Sequence, residues 1–177
     1  MRDFYTTSSC SGRISIMSQP LERTKGGKWL LVTHDKINYS EAKEALINLS
    51  NFSSSTAPTA SVVPMGGEDL VVFRFEPMVL SVECRTLALA DRLVQRAILC
   101  GFRESGISSV KKRVMATIRT SLRLEAPVGK GGRLLVSDEY LQILCALAND
   151  KLHQNWIRMD RFHSQICQAG SCDLNTR

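Results

Sequence analysis

The sequence predicts an α+β fold: a mostly antiparallel sheet built from strand-strand-helix units, with a long C-terminal helix. Three observations predict it. Runs of alternating apolar residues and runs of helical period follow one another as strand, strand, helix at 13–49, at 70–100 and, more loosely, from 113 into the last helix. The strands are joined by links short enough for hairpins, which antiparallel pairing permits. Strict βαβ alternation is missing, and no strand is followed by a GxGxxG turn, which disfavours a dinucleotide-binding fold.

Taken in order, RISIM (13–17) and KWLLVT (28–33) read as a pair of strands joined by a loop containing KGGK. SEAKEALINL (40–49) reads as a helix with Ser40 as N-cap. Residues 50–69 are rich in Ser, Thr, Ala, Pro and Gly and read as a mobile surface insertion. LVVFRF and MVLSVEC read as strands split at Glu76-Pro77. TLALADRLVQRAILC (86–100) reads as a buried helix, capped by Thr86, stopped by Gly101 and facing the core with positions 87, 89, 90, 93, 94, 97 and 98. RVMATIRTSLRLEAPV supplies one or two strands and RLLVS another. The last helix starts near Ser137 and runs to about Cys167, because Gly and Pro are absent until Gly170. Its first part looks buried and its later part amphipathic, with NDKLHQN (149–155) as a solvated face. Residues 168–177 read as a disordered tail.

The length of 177 residues suits a single domain with a sizeable core. No apolar run approaches the roughly 20 residues that cross a bilayer, and the N-terminus lacks the pattern of a signal peptide. Cys84, Cys100 and Cys145 lie in apolar periodic stretches, and no CxxC occurs, so the cysteines read as free thiols in a reducing compartment rather than as disulfides or a metal site. The net charge of +6 is uneven: residues 92–133 carry ten Lys or Arg against Glu104 and Glu125. Such an excess suits a polyanionic partner, although a solvated basic face with no partner would look the same.

Four polar clusters stand out. TTSSCSGR (6–13) brings serines, a glycine and an arginine together, a composition that can turn tightly and present N–H groups, hydroxyls and a guanidinium to a phosphate or carboxylate. A frayed terminus would read the same way. KWLLVTHD (28–35) puts Trp29 at the head of a strand and His34 at its end, where it could orient a substrate, take a proton or simply bond nearby backbone. GFRESGI (101–107) repeats the Ser, Gly and Arg chemistry of the first cluster in a turn after a helix, which is also what an ordinary connection looks like. VGKGGRL (128–134) lacks the spacing of a nucleotide P-loop and reads as a basic hairpin.

Quoted in order, FYTTSSCSGRI, WLLVTHD, FRFEPMVLSVECRTL, GFRESGI, SLRLEAPV and SDEYLQILCALANDKL resemble the tRNA wybutosine-synthesizing protein 3 family, the methyltransferases at the third step of that pathway. The resemblance runs from Phe4 to about Phe162, and its most specific parts are the SSCSGR stretch and the GFRESGI turn. It implies transfer of a methyl group from S-adenosylmethionine to N4 of the tricyclic guanosine derivative next to the anticodon of phenylalanine tRNA. It implies an α+β fold unrelated to the Rossmann methyltransferases, a cytoplasmic location, no metal, no membrane, and other wybutosine-pathway enzymes as further partners. The chemistry suits the sequence, since methyl transfer asks mainly for alignment and exclusion of water.

On that resemblance Ser9, Ser11, Gly12 and Arg13 are expected to bind the cofactor or a substrate phosphate, with Arg103, Ser105 and Gly106 completing the pocket. His34 is expected to position the base or accept its proton. Trp29 or Phe102 would stack on the flat base, and Lys111, Lys112, Arg113 and Arg119 would meet the tRNA backbone. The family carries a lead before the TTSSC stretch that this sequence lacks, which suggests a clipped or naturally short form of reduced activity. A non-catalytic tRNA-binding module, or a subunit of a tRNA-modification complex that keeps the fold, is the rival reading.

Overall fold

The computed structural model describes residues 3–20, 27–52 and 69–168. The elements are β1 (Phe4–Gln19), β2 (Lys28–Thr33), α1 (Tyr39–Phe52), β3 (Leu70–Cys84), α2 (Leu87–Leu99), β4 (Gly106–Ser109), β5 (Val114–Ile118), β6 (Leu124–Lys130), β7 (Arg133–Leu134) and α3 (Asp138–Gln168). The α+β expectation holds: the strand pairs β1–β2, β3–β5, β3–β6, β4–β5 and β6–β7 are antiparallel, and a 31-residue helix is the last element among the described residues.

The chain gathers into two compact units. Unit 1 holds Met1–Gly12, Glu76–Leu122 and Lys151–Arg177, and unit 2 holds Arg13–Phe75 and Arg123–Asp150. In unit 1, Leu80–Cys84 pair with β5, which pairs in turn with β4. Helix α2 packs on β5 and β4. The core includes Phe4, Val82, Leu93, Ala97, Phe102, Ile118, Phe162 and Ile166. In unit 2, Ile14–Ser18 pair with β2 and Leu70–Phe75 pair with β6, which turns back into β7. Ile14, Ile16, Phe73, Phe75, Val128 and Leu141 are fully buried there.

Helix ends follow side-chain chemistry. Thr86 caps α2 by accepting from the N–H of Leu89 at 3.3 Å, as expected. The same helix ends in a Schellman motif: Gly101 has φ +99°, the Phe102 N–H reaches the Ala97 carbonyl at 2.9 Å, and the Gly101 N–H reaches that of Ile98 at 3.0 Å. Ala90, Leu93, Val94 and Ala97 face the core, but Leu87 is exposed. Ser137 caps α3, its hydroxyl accepting from the Tyr140 N–H at 3.3 Å.

Three local expectations are corrected. Helix α1 is capped by Asn38 rather than Ser40: the Asn38 carboxamide accepts from the Glu41 N–H at 2.9 Å, and the Glu41 carboxylate accepts from the Asn38 N–H at 3.0 Å. That reciprocal box satisfies two donors that a Ser40 cap would leave open. Strand β3 runs through Glu76-Pro77 without a break. Proline cannot donate to a ladder, and its neighbourhood is where β3 changes partners, with Phe75 the last residue on β6 and Leu80 the first on β5. The RLLVS segment contributes only two residues of strand. Of the expected insertion, residues 50–52 belong to α1 and 53–68 lie outside the described residues, as does the expected tail beyond Gln168.

Candidate functional site

Unit 1 contains the serine-rich stretch. It is not a turn ahead of the first strand; it is the first half of that strand, since β1 begins at Phe4. Thr7, Ser9 and Ser11 are exposed and alternate onto one face of the pleat, and the Thr7 hydroxyl donates to the Ser81 carbonyl at 3.1 Å. Gly12 is buried with φ +98°, and a Cβ there would stand 3.0 Å from the Glu76 carbonyl and 3.1 Å from the Asn155 carboxamide nitrogen. Both the backbone conformation and the close approach demand glycine.

The group that approaches Gly12 is a fully buried asparagine of α3. The Asn155 carboxamide accepts from the Met78 N–H at 2.9 Å and donates to the Ser11 carbonyl at 2.8 Å. One side chain thus satisfies a backbone donor next to Pro77 on β3 and a backbone acceptor next to Gly12 on β1.

The GFRESGI turn is built around its own backbone. The Ser105 hydroxyl accepts from the Arg119 N–H at 3.2 Å and donates to the Arg119 carbonyl at 3.5 Å. Arg119 returns a bond from Nε to the Glu104 carbonyl at 3.4 Å. Ser105 and Arg119, expected in separate parts of the site, therefore form one cluster, and Arg103 is exposed beside them. A Cβ on Gly106 would meet nothing within 4 Å. Phe102 cannot stack on a base: it is fully buried and packs edge-on against Phe162 with ring centroids 5.7 Å apart.

Arg158 ties this turn to α3. Its Nη1 donates to the Thr120 hydroxyl at 2.9 Å, and its Nε is 3.1 Å from where a Cβ on Gly101 would sit. Asn155 and Arg158 are three residues apart and share a helix face. One turn of α3 in unit 1 thus touches the Ser11–Gly12 segment and, one step on, Gly101 and Thr120 at the base of the second loop.

Lys111, Lys112 and Arg113 are exposed in the turn that joins β4 to β5. The Arg113 guanidinium lies 3.6 Å from the Glu83 carboxylate, which offsets part of its charge.

Unit 2 contains the remaining candidates. The Arg13 guanidinium lies over the Trp29 ring, 5.1 Å from its centroid, with Trp29 45% exposed on β2. His34 is exposed one residue beyond that strand, in a bend where the Asp35 N–H donates to the Thr33 hydroxyl at 3.1 Å. Asn149 of α3 grips the end of this bend, accepting from the Ile37 N–H at 2.9 Å and donating to the Ile37 carbonyl at 2.8 Å.

The two asparagines correct the reading of NDKLHQN as a solvated face, since both carboxamides are spent on backbone. A signal was available for Asn155. It falls at helical spacing with Leu141, Leu144, Ala148, Leu152, Phe162 and Ile166, all buried, so it occupies a core position. Among the described residues the five cysteines are free thiols, as expected, and Cys172 lies outside those residues. Cys84, Cys100 and Cys145 are buried free thiols, and burial pushes the Cys84 thiol up to about 11. Hollows of about 160 Å³ beside Leu46 and Leu134 and about 420 Å³ beside Cys100 and Arg161 hold none of the candidate residues. Among the described residues no three or more His, Cys, Asp or Glu are grouped to hold a metal, and no helix is long and apolar enough to cross a membrane.

Residues 1–168 match the family model described as Methyltransferase TYW3. The chain belongs to this family. Curated relatives include tRNA wybutosine-synthesizing protein 2/3/4 of Oryza sativa, 39% identical over 90% of this chain and 16% of that protein. The tRNA wybutosine-synthesizing protein 3 homolog of Xenopus laevis is 37% identical over 94% of this chain and 61% of its own length. This chain therefore spans between 59% and 69% of the wybutosine-synthesizing protein 3 relatives and 16% of the longer plant one. Among solved structures, the PH1069 protein of Pyrococcus horikoshii matches with a TM-score of 0.77 at 30% identity, covering 94% of this chain and 76% of that one. A hypothetical protein from Aeropyrum pernix shares the fold, with a TM-score of 0.74 at 23% identity over 96% of this chain and 91% of that one. The fold is that of the family and not a Rossmann fold.

Proposed function

We propose that this chain is an S-adenosylmethionine-dependent methyltransferase that acts on N4 of the wybutosine precursor base beside the anticodon of phenylalanine tRNA, in the cytoplasm, with other enzymes of that pathway as neighbours. The observation that carries the reading is the family match across residues 1–168. The arrangement in unit 1 is compatible with it.

The side-chain chemistry of unit 1 suits the cofactor. Ser9 and Ser11 offer hydroxyls from one face of β1, and Arg103 offers an exposed guanidinium for a carboxylate. Gly106 leaves open space where a side chain would otherwise stand. The cofactor supplies a methyl group on a sulfonium, already electrophilic, so the protein's work is to orient, to exclude water and to receive a proton. Ser105 serves by fixing the turn, because its hydroxyl is committed to Arg119. Gly12 serves by taking a positive φ and letting the Asn155 carboxamide approach the strand.

In unit 2, Trp29 offers half of its surface for a flat base, with Arg13 stacked on it, and His34 is the group to hold or take a proton from the base. In unit 1, Lys111, Lys112, Arg113 and Arg119 meet phosphates.

The test is incubation with hypomodified phenylalanine tRNA and labelled S-adenosylmethionine, followed by nucleoside mass analysis. A single methyl gained on the tricyclic base is the expected result. Tight tRNA binding with no cofactor affinity and no methyl transfer would overturn it in favour of a non-catalytic tRNA-binding module.

A further inference from the structure

We infer that Asn155 is a positioning residue for the cofactor site, holding the Ser9–Ser11 strand segment in register through its carboxamide. The inference rests on the proposed function and adds to it a residue on a different element from every candidate.

Most buried side chains of α3 are apolar and fill volume. Asn155 is fully buried on that apolar stripe yet makes two directional bonds to backbone, to the Met78 N–H and to the Ser11 carbonyl, and its nitrogen also lies 3.3 Å from the Met159 sulfur. A leucine would fill the space without either bond, leaving two buried backbone groups unsatisfied. The local sequence makes the side chain necessary. Gly12 takes φ +98° within β1, a conformation foreign to regular strand, and Pro77 removes an N–H from β3 immediately before Met78. The carboxamide supplies the missing donor and acceptor at that irregularity, and the nearest exposed hydroxyl on β1 belongs to Ser11 itself.

The bond therefore reads out in the direction of Ser9 and Ser11. Losing the donor at Ser11 frees the segment beside Gly12, and the two hydroxyls lose their fixed placement. No atom of Asn155 need touch cofactor for this to weaken binding, which is why the effect belongs to affinity rather than to the chemical step.

Asn149, half-buried where Asn155 is fully buried, provides a control. It lies six residues earlier on the same helix, makes the same pair of carboxamide bonds to backbone, and grips Ile37 in unit 2 instead. The experiment compares Asn155→Asp with Asn149→Asp in the full chain, measuring melting temperature, Kd for S-adenosylmethionine by equilibrium dialysis, and the split of kcat and KM. Each exchange keeps size but replaces the N–H donors by a carboxylate oxygen that faces the same backbone carbonyl and carries a charge, so both lower stability. The expected result is a Kd and a cofactor KM about tenfold higher for Asn155→Asp alone, with kcat within about threefold of the unaltered chain. Equal cofactor affinity in the two variants would overturn the inference while leaving the methyltransferase reading intact.

Should Asn155→Asp not fold, hydrogen exchange on the unaltered chain decides. Saturating S-adenosylmethionine is expected to slow exchange of the Met78 amide and to leave the Ile37 amide unchanged; an unmoved Met78 amide sinks the assignment. An unaltered chain that binds no S-adenosylmethionine overturns the proposed function, and this inference with it.

Discussion

The guanidinium of Arg13 sits 5.1 Å from the centroid of the Trp29 indole, although sixteen residues separate them in sequence and each was expected to serve a different ligand. An arginine over one face of a half-exposed indole holds the ring in a fixed attitude. Trp29→Ala is expected to weaken tRNA binding by about tenfold, in the range of a single base stack, with cofactor affinity unchanged. Filter binding and equilibrium dialysis on the same protein check it. If Arg13→Ala instead lowers cofactor affinity and spares tRNA, Arg13 belongs to the cofactor and the pair is incidental.

The two candidate-site glycines should respond in opposite ways. Gly12→Ala forces a side chain onto a backbone with φ +98° and within 3.0 Å of the Glu76 carbonyl, so a loss of at least about 2 kcal/mol is expected in denaturant unfolding. Gly106→Ala meets nothing within 4 Å, and its stability should stay within about 0.5 kcal/mol of the parent. Any fall in cofactor affinity in Gly106→Ala then reports ligand occupying that space.

The β4–β5 turn should act through charge. Replacing Lys111 and Lys112 together by alanine is expected to flatten the plot of log Kobs against log salt by roughly one unit for each phosphate that is no longer neutralised. Arg113→Ala should change it less, because Glu83 lies 3.6 Å from its guanidinium. Equal slopes for all variants would place the RNA backbone elsewhere.

Burial raises the Cys84 thiol from 9.0 to about 11, and the Cys100 and Cys145 thiols move in the same direction. The folded form therefore keeps a proton that the unfolded chain releases. Stability is fully present below pH 9 and falls as pH rises from there towards about 11. Melting temperature should drop between about pH 9 and 11 and drop less in Cys84→Ala. A thiol reagent at pH 8 should modify the half-buried Cys10 before any of the three buried cysteines.

What was legible in the sequence was local. The Thr86 cap, the Gly101 stop and the reach of α3 to the last Gly-free residues were all readable, because a cap or a left-handed glycine acts within four or five residues. Alternation gave β2 and β5 for the same reason. Continuity was not legible in β1 or β3. A run of serines reads as a turn by composition, and Glu76-Pro77 reads as a break, yet both are strand because neighbouring strands and α3 meet their backbone groups.

The order of amino acids alone was enough for the class of fold, the helices and the family to which the chain belongs, since these follow from periodicity, capping chemistry and the succession of short motifs. The roles of the polar residues came from packing in three dimensions. Asn155 finds Met78 77 residues away and Ser11 144 residues away, and Ser105 finds Arg119 14 residues away. A hydrogen-bonding side chain carries no record of its partner; packing of the apolar face chooses it, by bringing one particular backbone group within about 3 Å while water is excluded.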